Sequence, residues 1–282
     1  MKKLLLLFMA FATVYSVQAQ LETPQPSPAA KLEQKVGLTD ITIEYSRPGV
    51  KGRKIFGGLE AYDKIWRTGA NKNTTITFST EATIDGQTLK AGTYAIFTKP
   101  GEETWEVYFY TDTENWGTPA EWDESKVAAK TSVKAYPVPF NVETFTIDIN
   151  SITNNGGTLE FIWEKTYVGV PFTVPTDNAV LANINKVMSG PSVNDYFSAA
   201  VYYLQENKNI AQAKEWIDKA VEMTSKNPRF WILRQQSLIH AKAGDTKSAI
   251  VAAKSSLELA KKAGNNGYVK MNTDSLKEWG AM

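Results

Sequence analysis

Seven cationic side chains fall between residues 47 and 72 (Arg47, Lys51, Arg53, Lys54, Lys64, Arg67 and Lys72), against two acids, Glu60 and Asp63. Arginine is a planar fork suited to carboxylate or phosphate oxygens. Glycines at 49, 52, 57, 58 and 69 let the backbone turn tightly and bring N–H groups toward a ligand. Asn71 adds an amide and Trp66 an apolar wall. Arg47, Lys51, Arg53, Trp66, Arg67 and Asn71 are therefore candidates for an anion pocket built on loops. The same charges have a competing use. Between Glu102 and Glu124 lie eight acidic residues and no Lys or Arg, so the basic run either frames a ligand or pairs with this acidic run.

The acidic run is also aromatic, with Trp105, Tyr108, Phe109, Tyr110, Trp116 and Trp122. Aromatic faces beside carboxylates can stack on sugar rings, and two carboxylates at suitable separation can act as acid and base on a glycosidic bond. Glu106, Glu121 and Asp123 are the nominees for that alternative, although Trp105 and Phe109 equally fit the inward face of a strand. The 282 residues hold no Cys and one His, which excludes disulfides, thiolate nucleophiles and paired zinc ligands, so no metal or cofactor is expected. His240 has no Ser or acid at a spacing that defines a triad and reads as a helix histidine. No Walker loop or dinucleotide fingerprint occurs. With 31 basic against 30 acidic residues, the chain is not built to track nucleic acid.

The elements that would position these groups follow from periodicity. Lys2 and Lys3, the apolar run Leu4 to Val14 and Val17-Gln18-Ala19 form a signal-peptide pattern over residues 1–19, with cleavage after Ala19. Its apolar core is too short to span a bilayer. No Cys follows it to take a lipid, so the mature chain is expected to be exported, periplasmic and without a transmembrane segment. Pro24, Pro26 and Pro28 give an extended lead over residues 20–30. Residues 31–174 alternate with a period of two, and 177–282 repeat every 3.6 residues. Strands are expected around Ile41 to Tyr45, Ile76 to Phe78, Thr93 to Thr98, Thr104 to Thr111, Val127 to Ala135, Thr144 to Asn150 and Thr158 to Val168. Asp85-Gly86 reads as a type I′ hairpin turn. The fold class is an all-β antiparallel sandwich or jelly roll followed by a separate all-α domain.

In the helical half a shift of 36 residues aligns Asn209 to Ala213 with Asp245 to Ala249. Ala213, Ile217 and Ala220 are small or apolar at the spacing that lets paired helices approach. This resembles a degenerate tetratricopeptide repeat, with helices near Asn178 to Met188 and Ser275 to Ala281 flanking it, and implies a surface for a protein partner.

The β half carries Ser46-Arg47-Pro48-Gly49-Val50-Lys51-Gly52-Arg53, then Ile55-Phe56-Gly57, Trp66-Arg67-Thr68-Gly69-Ala70-Asn71, Ala91-Gly92-Thr93-Tyr94, Trp116-Gly117 and Trp163-Glu164-Lys165. In that order and spacing, from about Ser27 to Val174, it resembles the domain-of-unknown-function family numbered 2911. Asp63 stands where the family pattern has a Gly after the Tyr. The resemblance implies a fold and a cell-envelope setting and brings no activity. The expectation is a non-catalytic binding module, for a small anion or a glycan on the β domain. The alternatives are the carboxylate-pair hydrolase and a structural scaffold.

Overall fold

The computed structural model describes residues 23–188 and 190–282. The expected export signal over residues 1–19 lies outside the described residues. The chain divides into two units, one ending at Thr176 and one running Asp177–Met282.

In the first unit the alternating segments become β1 (Ala29–Val36), β2 (Thr39–Ser46), β3 (Thr75–Phe78), β4 (Ala82–Ile84), β5 (Gln87–Leu89), β6 (Gly92–Lys99), β7 (Thr104–Tyr110), β8 (Val127–Thr153) and β9 (Gly156–Thr173). They form one nine-stranded sheet in the order β1-β2-β3-β6-β7-β8-β9-β4-β5, and every pairing is antiparallel. The 27-residue β8 pairs with β7 through Lys134 and with β9 from Ala135 onward, so one strand serves both halves. The two separate strands expected at Val127 to Ala135 and Thr144 to Asn150 are thus one. Pro137 and Pro139 between them have no N–H to give, and the register slips there instead of the strand ending. β1 starts at Ala29, inside the segment read as a solvated lead. Its full register with β2, Ala29↔Ser46 to Val36↔Thr39, satisfies a backbone that the proline pattern alone left unpaired.

The two halves of the sheet enclose one core. Ile41, Ile43, Ile76, Ile96 and Trp105 meet Phe145, Ile147, Phe161, Trp163 and Phe172 in it. Ring contacts cross between the halves at Tyr45–Phe145 (5.9 Å) and Phe78–Phe172 (6.2 Å). The Tyr45 hydroxyl also accepts from the Ile147 amide at 3.0 Å. Asp85 and Gly86 both take positive φ, as the I′ turn requires. Asp63 has φ +58, and aspartate is one of the few residues other than Gly that tolerates the left-handed region.

The second unit holds six helices among the described residues: α1 (Thr176–Val187), α2 (Val193–Gln205), α3 (Ile210–Met223), α4 (Phe230–Lys242), α5 (Thr246–Lys262) and α6 (Asn266–Glu278). The 36-residue repeat has a physical counterpart. Asn209 caps α3 through the Gln212 amide and Asp245 caps α5 through the Ser248 amide. Ala213, Ile217 and Ala220 are fully buried, and so are Ala249, Ala253 and Ser256 at the matching places. The last helix begins well before Ser275 because the Asn265 side chain caps it through the Tyr268 amide. No helix among the described residues is long and apolar enough to cross a membrane.

Candidate functional site

The 28 residues between β2 and β3 are pinned at several points. Val50 N donates to Glu143 O (2.7 Å) and Phe145 N to Pro48 O (2.9 Å), joining the start of the loop to β8. Trp66 and Thr98 exchange backbone hydrogen bonds with β6. Two carboxylates hold loop amides: Glu143 accepts from Lys51 N at 2.8 Å and Glu164 from Ile55 N at 3.4 Å. Lys51 and Gly52 both have positive φ and Arg53 N returns to Val50 O at 3.0 Å, a tight turn that places Lys51 and Arg53 side by side. Further on, Thr68 sits at φ +57 with no solvent exposure. A β-branched residue there is a genuine outlier, and such strain collects at functional sites. Gly69 follows at φ +146, where a Cβ would lie 3.0 Å from the Ser46 carbonyl oxygen.

These constraints shape a cavity of about 240 Å³ whose polar lining includes Lys51, Arg53, Glu60 and Arg67, with Trp163, Leu59, Pro26 and Pro48 as apolar walls. The guanidinium of Arg53 is fixed by neutral acceptors, Nε to Val50 O (3.0 Å) and Nη2 to Gly49 O (2.6 Å). Arg67 Nη1 donates to Asn71 O at 3.1 Å. Among the described residues neither arginine, nor Lys51, forms an ion pair. The basic and acidic runs meet in one ion pair, Lys72 with Glu114 at 3.4 Å, and both partners are exposed. Glu60 is partly buried. Burial pushes its carboxyl up to about 7 against the opposing pull of Arg67 and Arg53.

Three of the six basic-loop candidates, Lys51, Arg53 and Arg67, are thus brought together, and three are placed differently. Arg47 donates from Nε to Phe145 O (2.9 Å) and from Nη2 to Thr146 Oγ1 (2.7 Å), bracing β8 away from the cavity. Asn71 Nδ2 donates to Ser27 O (3.2 Å) and Ser46 Oγ (3.3 Å), holding the Pro26-Ser27 segment that edges the cavity. Trp66 is a layer behind the wall: it stacks on Trp163 at 5.7 Å and donates from Nε1 to Gly69 O at 3.2 Å. Glu60 escaped the sequence reading because, with Asp63, an acid in a basic run reads as charge balance. Its position among five glycines was the available signal.

The acidic nominees do not line this cavity. Glu106 accepts from the Tyr108 hydroxyl and pairs with Lys99 at 3.4 Å. The tyrosine first, then Lys99, hold its carboxyl below the usual range. Asp123 accepts from Ser125 N and Oγ at 2.9 and 2.6 Å, which likewise lowers it. A general acid needs the opposite shift. Glu121 is exposed. The aromatics are spent on packing: Tyr108, Tyr110 and Phe97 build a second cluster under Trp122, and Trp105 lies in the main core. Trp116, 76% exposed, is the exception. In the helical unit His240 is buried and its Nε2 lies 2.7 Å from Asp218 Oδ1.

A β sandwich carrying a cation-lined cavity, followed by a helical unit, is the class of protein these features define. The chain belongs to the family described as protein of unknown function DUF2911, whose model matches residues 27–172, nearly the whole sandwich. No curated protein and no solved structure matches it.

Proposed function

We propose that this is an exported, non-catalytic binding protein whose β sandwich holds a small anion in the cavity between Lys51, Arg53, Arg67 and Trp163. The observation that carries the reading is that these three cations share one cavity, that the two arginines are oriented by backbone carbonyls, and that none of the three forms an ion pair among the described residues. At about 240 Å³ the space is smaller than the roughly 300 Å³ at which drug-sized ligand pockets begin, which favours a small acid over a glycan chain. The helical unit, read as a tetratricopeptide-like pair, serves a protein partner. A cleft of about 530 Å³ lined by Asp218, Leu233, His240, Lys247 and Val251 supports that role.

The test is thermal shift of the purified protein against acetate, sulfate, citrate and neutral sugars. Anions at about 100 times their Kd stabilise by about 2.7 kcal/mol; neutral sugars leave the midpoint unmoved, and Arg67→Ala abolishes the anion response. A response to sugars alone overturns the reading. Export is checked separately by N-terminal sequencing of the protein recovered from expressing cells, which begins at Gln20 if the signal is cleaved as the pattern indicates.

A further inference from the structure

Glu60 is the member of the cavity that the anion-binding reading leaves unexplained. Its carboxyl sits in a space lined by Lys51, Arg53 and Arg67, yet among the described residues it takes part in no ion pair and no side-chain hydrogen bond. The carboxylates contributed by the neighbouring strands are committed to the loop backbone, Glu143 of β8 to Lys51 N and Glu164 of β9 to Ile55 N. Donors are in surplus as well. Trp163 lines the cavity, is 1% exposed, and its Nε1 has no partner among the described residues. Arg53 Nη1, Arg67 Nε and Arg67 Nη2 make no hydrogen bond within the described residues. A buried indole N–H without an acceptor is costly unless a ligand supplies one.

An oxyanion in the cavity offers acceptors to donors of these residues, and it conflicts with Glu60 only if Glu60 is ionised. Resting on the anion-binding reading above, we propose that the cavity captures a small oxyacid together with one proton. Neutral Glu60 donates its O–H to one ligand oxygen while Arg53, Arg67 and the Trp163 indole donate to the others. The proton comes from water and goes to the Glu60 carboxyl; no bond of the ligand breaks. The charged groups that share the cavity with Glu60 are Lys51, Arg53 and Arg67 from its own loop, while Glu143 of β8 and Glu164 of β9 hold the loop amides of Lys51 and Ile55. Burial already lifts the carboxyl to about 7, so the proton is available close to neutrality. The shared chemistry is a planar carboxylate or a tetrahedral oxyanion, both of which the arginine forks accept.

Isothermal titration with acetate and with sulfate tests this, since neither probe changes charge between about pH 6 and pH 9. Titrations in two buffers of different ionisation enthalpy measure the protons taken up by the wild-type protein. The expected result is uptake approaching one proton per anion above about pH 7, with affinity falling about tenfold per pH unit there. Glu60→Gln, which keeps a neutral donor, is expected to bind with no proton uptake, no pH slope, and more tightly than wild type at about pH 8. The stronger of the two probes identifies the geometry, carboxylate or tetrahedral. Anion binding without proton uptake, a slope unchanged in Glu60→Gln, or affinity that rises with pH overturns the proton link and leaves the anion site standing; a rise with pH would mean that binding releases a proton instead of taking one up. Failure of both anions to bind wild type and Glu60→Gln at every pH overturns the site itself.

Discussion

Replacing Glu60 with Gln removes a carboxylate that is costly to ionise in place, and the cost can be worked out without any ligand. The folded-state value lies at about 7 against 4.5 for the free group. Between those two pH values the folded protein holds a proton that the unfolded chain has lost. Stability therefore falls as pH rises from about 4.5 to about 7 and is flat above, the opposite direction from a salt-bridged carboxylate. About 2.5 units at 1.36 kcal/mol each is about 3 kcal/mol, and because Glu60 is only partly buried, water screening reduces this to about 1–2 kcal/mol. A glutamine bears none of it. Glu60→Gln should match wild type near pH 5 and exceed it by about 1–2 kcal/mol near pH 8, a rise in Tm of roughly 3–6 °C for a unit of this size. The assay is thermal unfolding followed by near-ultraviolet circular dichroism of the Trp66, Trp105 and Trp163 cluster, in buffers free of small oxyanions. Equal Tm differences at both pH values would show that the carboxyl is solvated. A loss of stability at pH 8 would show that ionised Glu60 pairs with Arg67 or Arg53, and would refute the reasoning.

Ser256→Ala restores the residue found at the matching place of the preceding repeat, Ala220, yet it should destabilise the helical unit by about 1–3 kcal/mol in denaturant melts. The hydroxyl bonds Phe230 O at 2.7 Å and accepts from Asn272 Nδ2 at 2.9 Å. Gly37→Ala should cost at least about 3 kcal/mol and lower the expressed soluble yield, because a Cβ there would fall 2.1 Å from the Asn154 carbonyl oxygen at φ +56. Tyr45→Phe should cost about 1–2 kcal/mol by leaving the Ile147 amide without the acceptor it has at 3.0 Å, read as a lower urea midpoint with unchanged slope.

The parts of the fold that were legible are those whose signal is local. Alternation in Thr39–Ser46, the Asp85-Gly86 turn and the switch to helical period after Pro175 each depend on a few adjacent residues, and each appears in the structure. What was hidden depends on distant partners. Ala29 and Ala30, in the segment read as an extended lead, join a strand because β2 is beside them, and β8 continues past two prolines because β9 pairs with it on either side of them. The site divides the same way. Lys51 and Arg53 were legible as neighbours on a glycine-rich turn. That Arg67 joins them while Arg47 does not is decided by Thr68 and Gly69 folding back on Thr74 and Ser46, and by the Phe145 carbonyl that captures Arg47.

The fate of the two charge runs explains why the cavity keeps its cations. Apart from the exposed Lys72–Glu114 pair, the acidic run draws its counter-charges from outside the basic loop, Lys99 for Glu106 and Lys126 for Asp112, while Tyr108, Tyr110 and Trp122 close over the outer face of β6 and β7. That arrangement leaves Lys51, Arg53 and Arg67 outside any ion pair among the described residues. It would be unstable if the cations were floppy and buried, but Arg53 and Arg67 are tethered by Gly49, Val50 and Asn71 carbonyls, which fix direction without cancelling charge. Donors held in place before a ligand arrives lose little entropy on binding and gain the full charge-assisted hydrogen bond. A carboxylate in the same role would have spent that attraction in the empty protein, so backbone tethering is what allows a nearly neutral chain to present a locally cationic site.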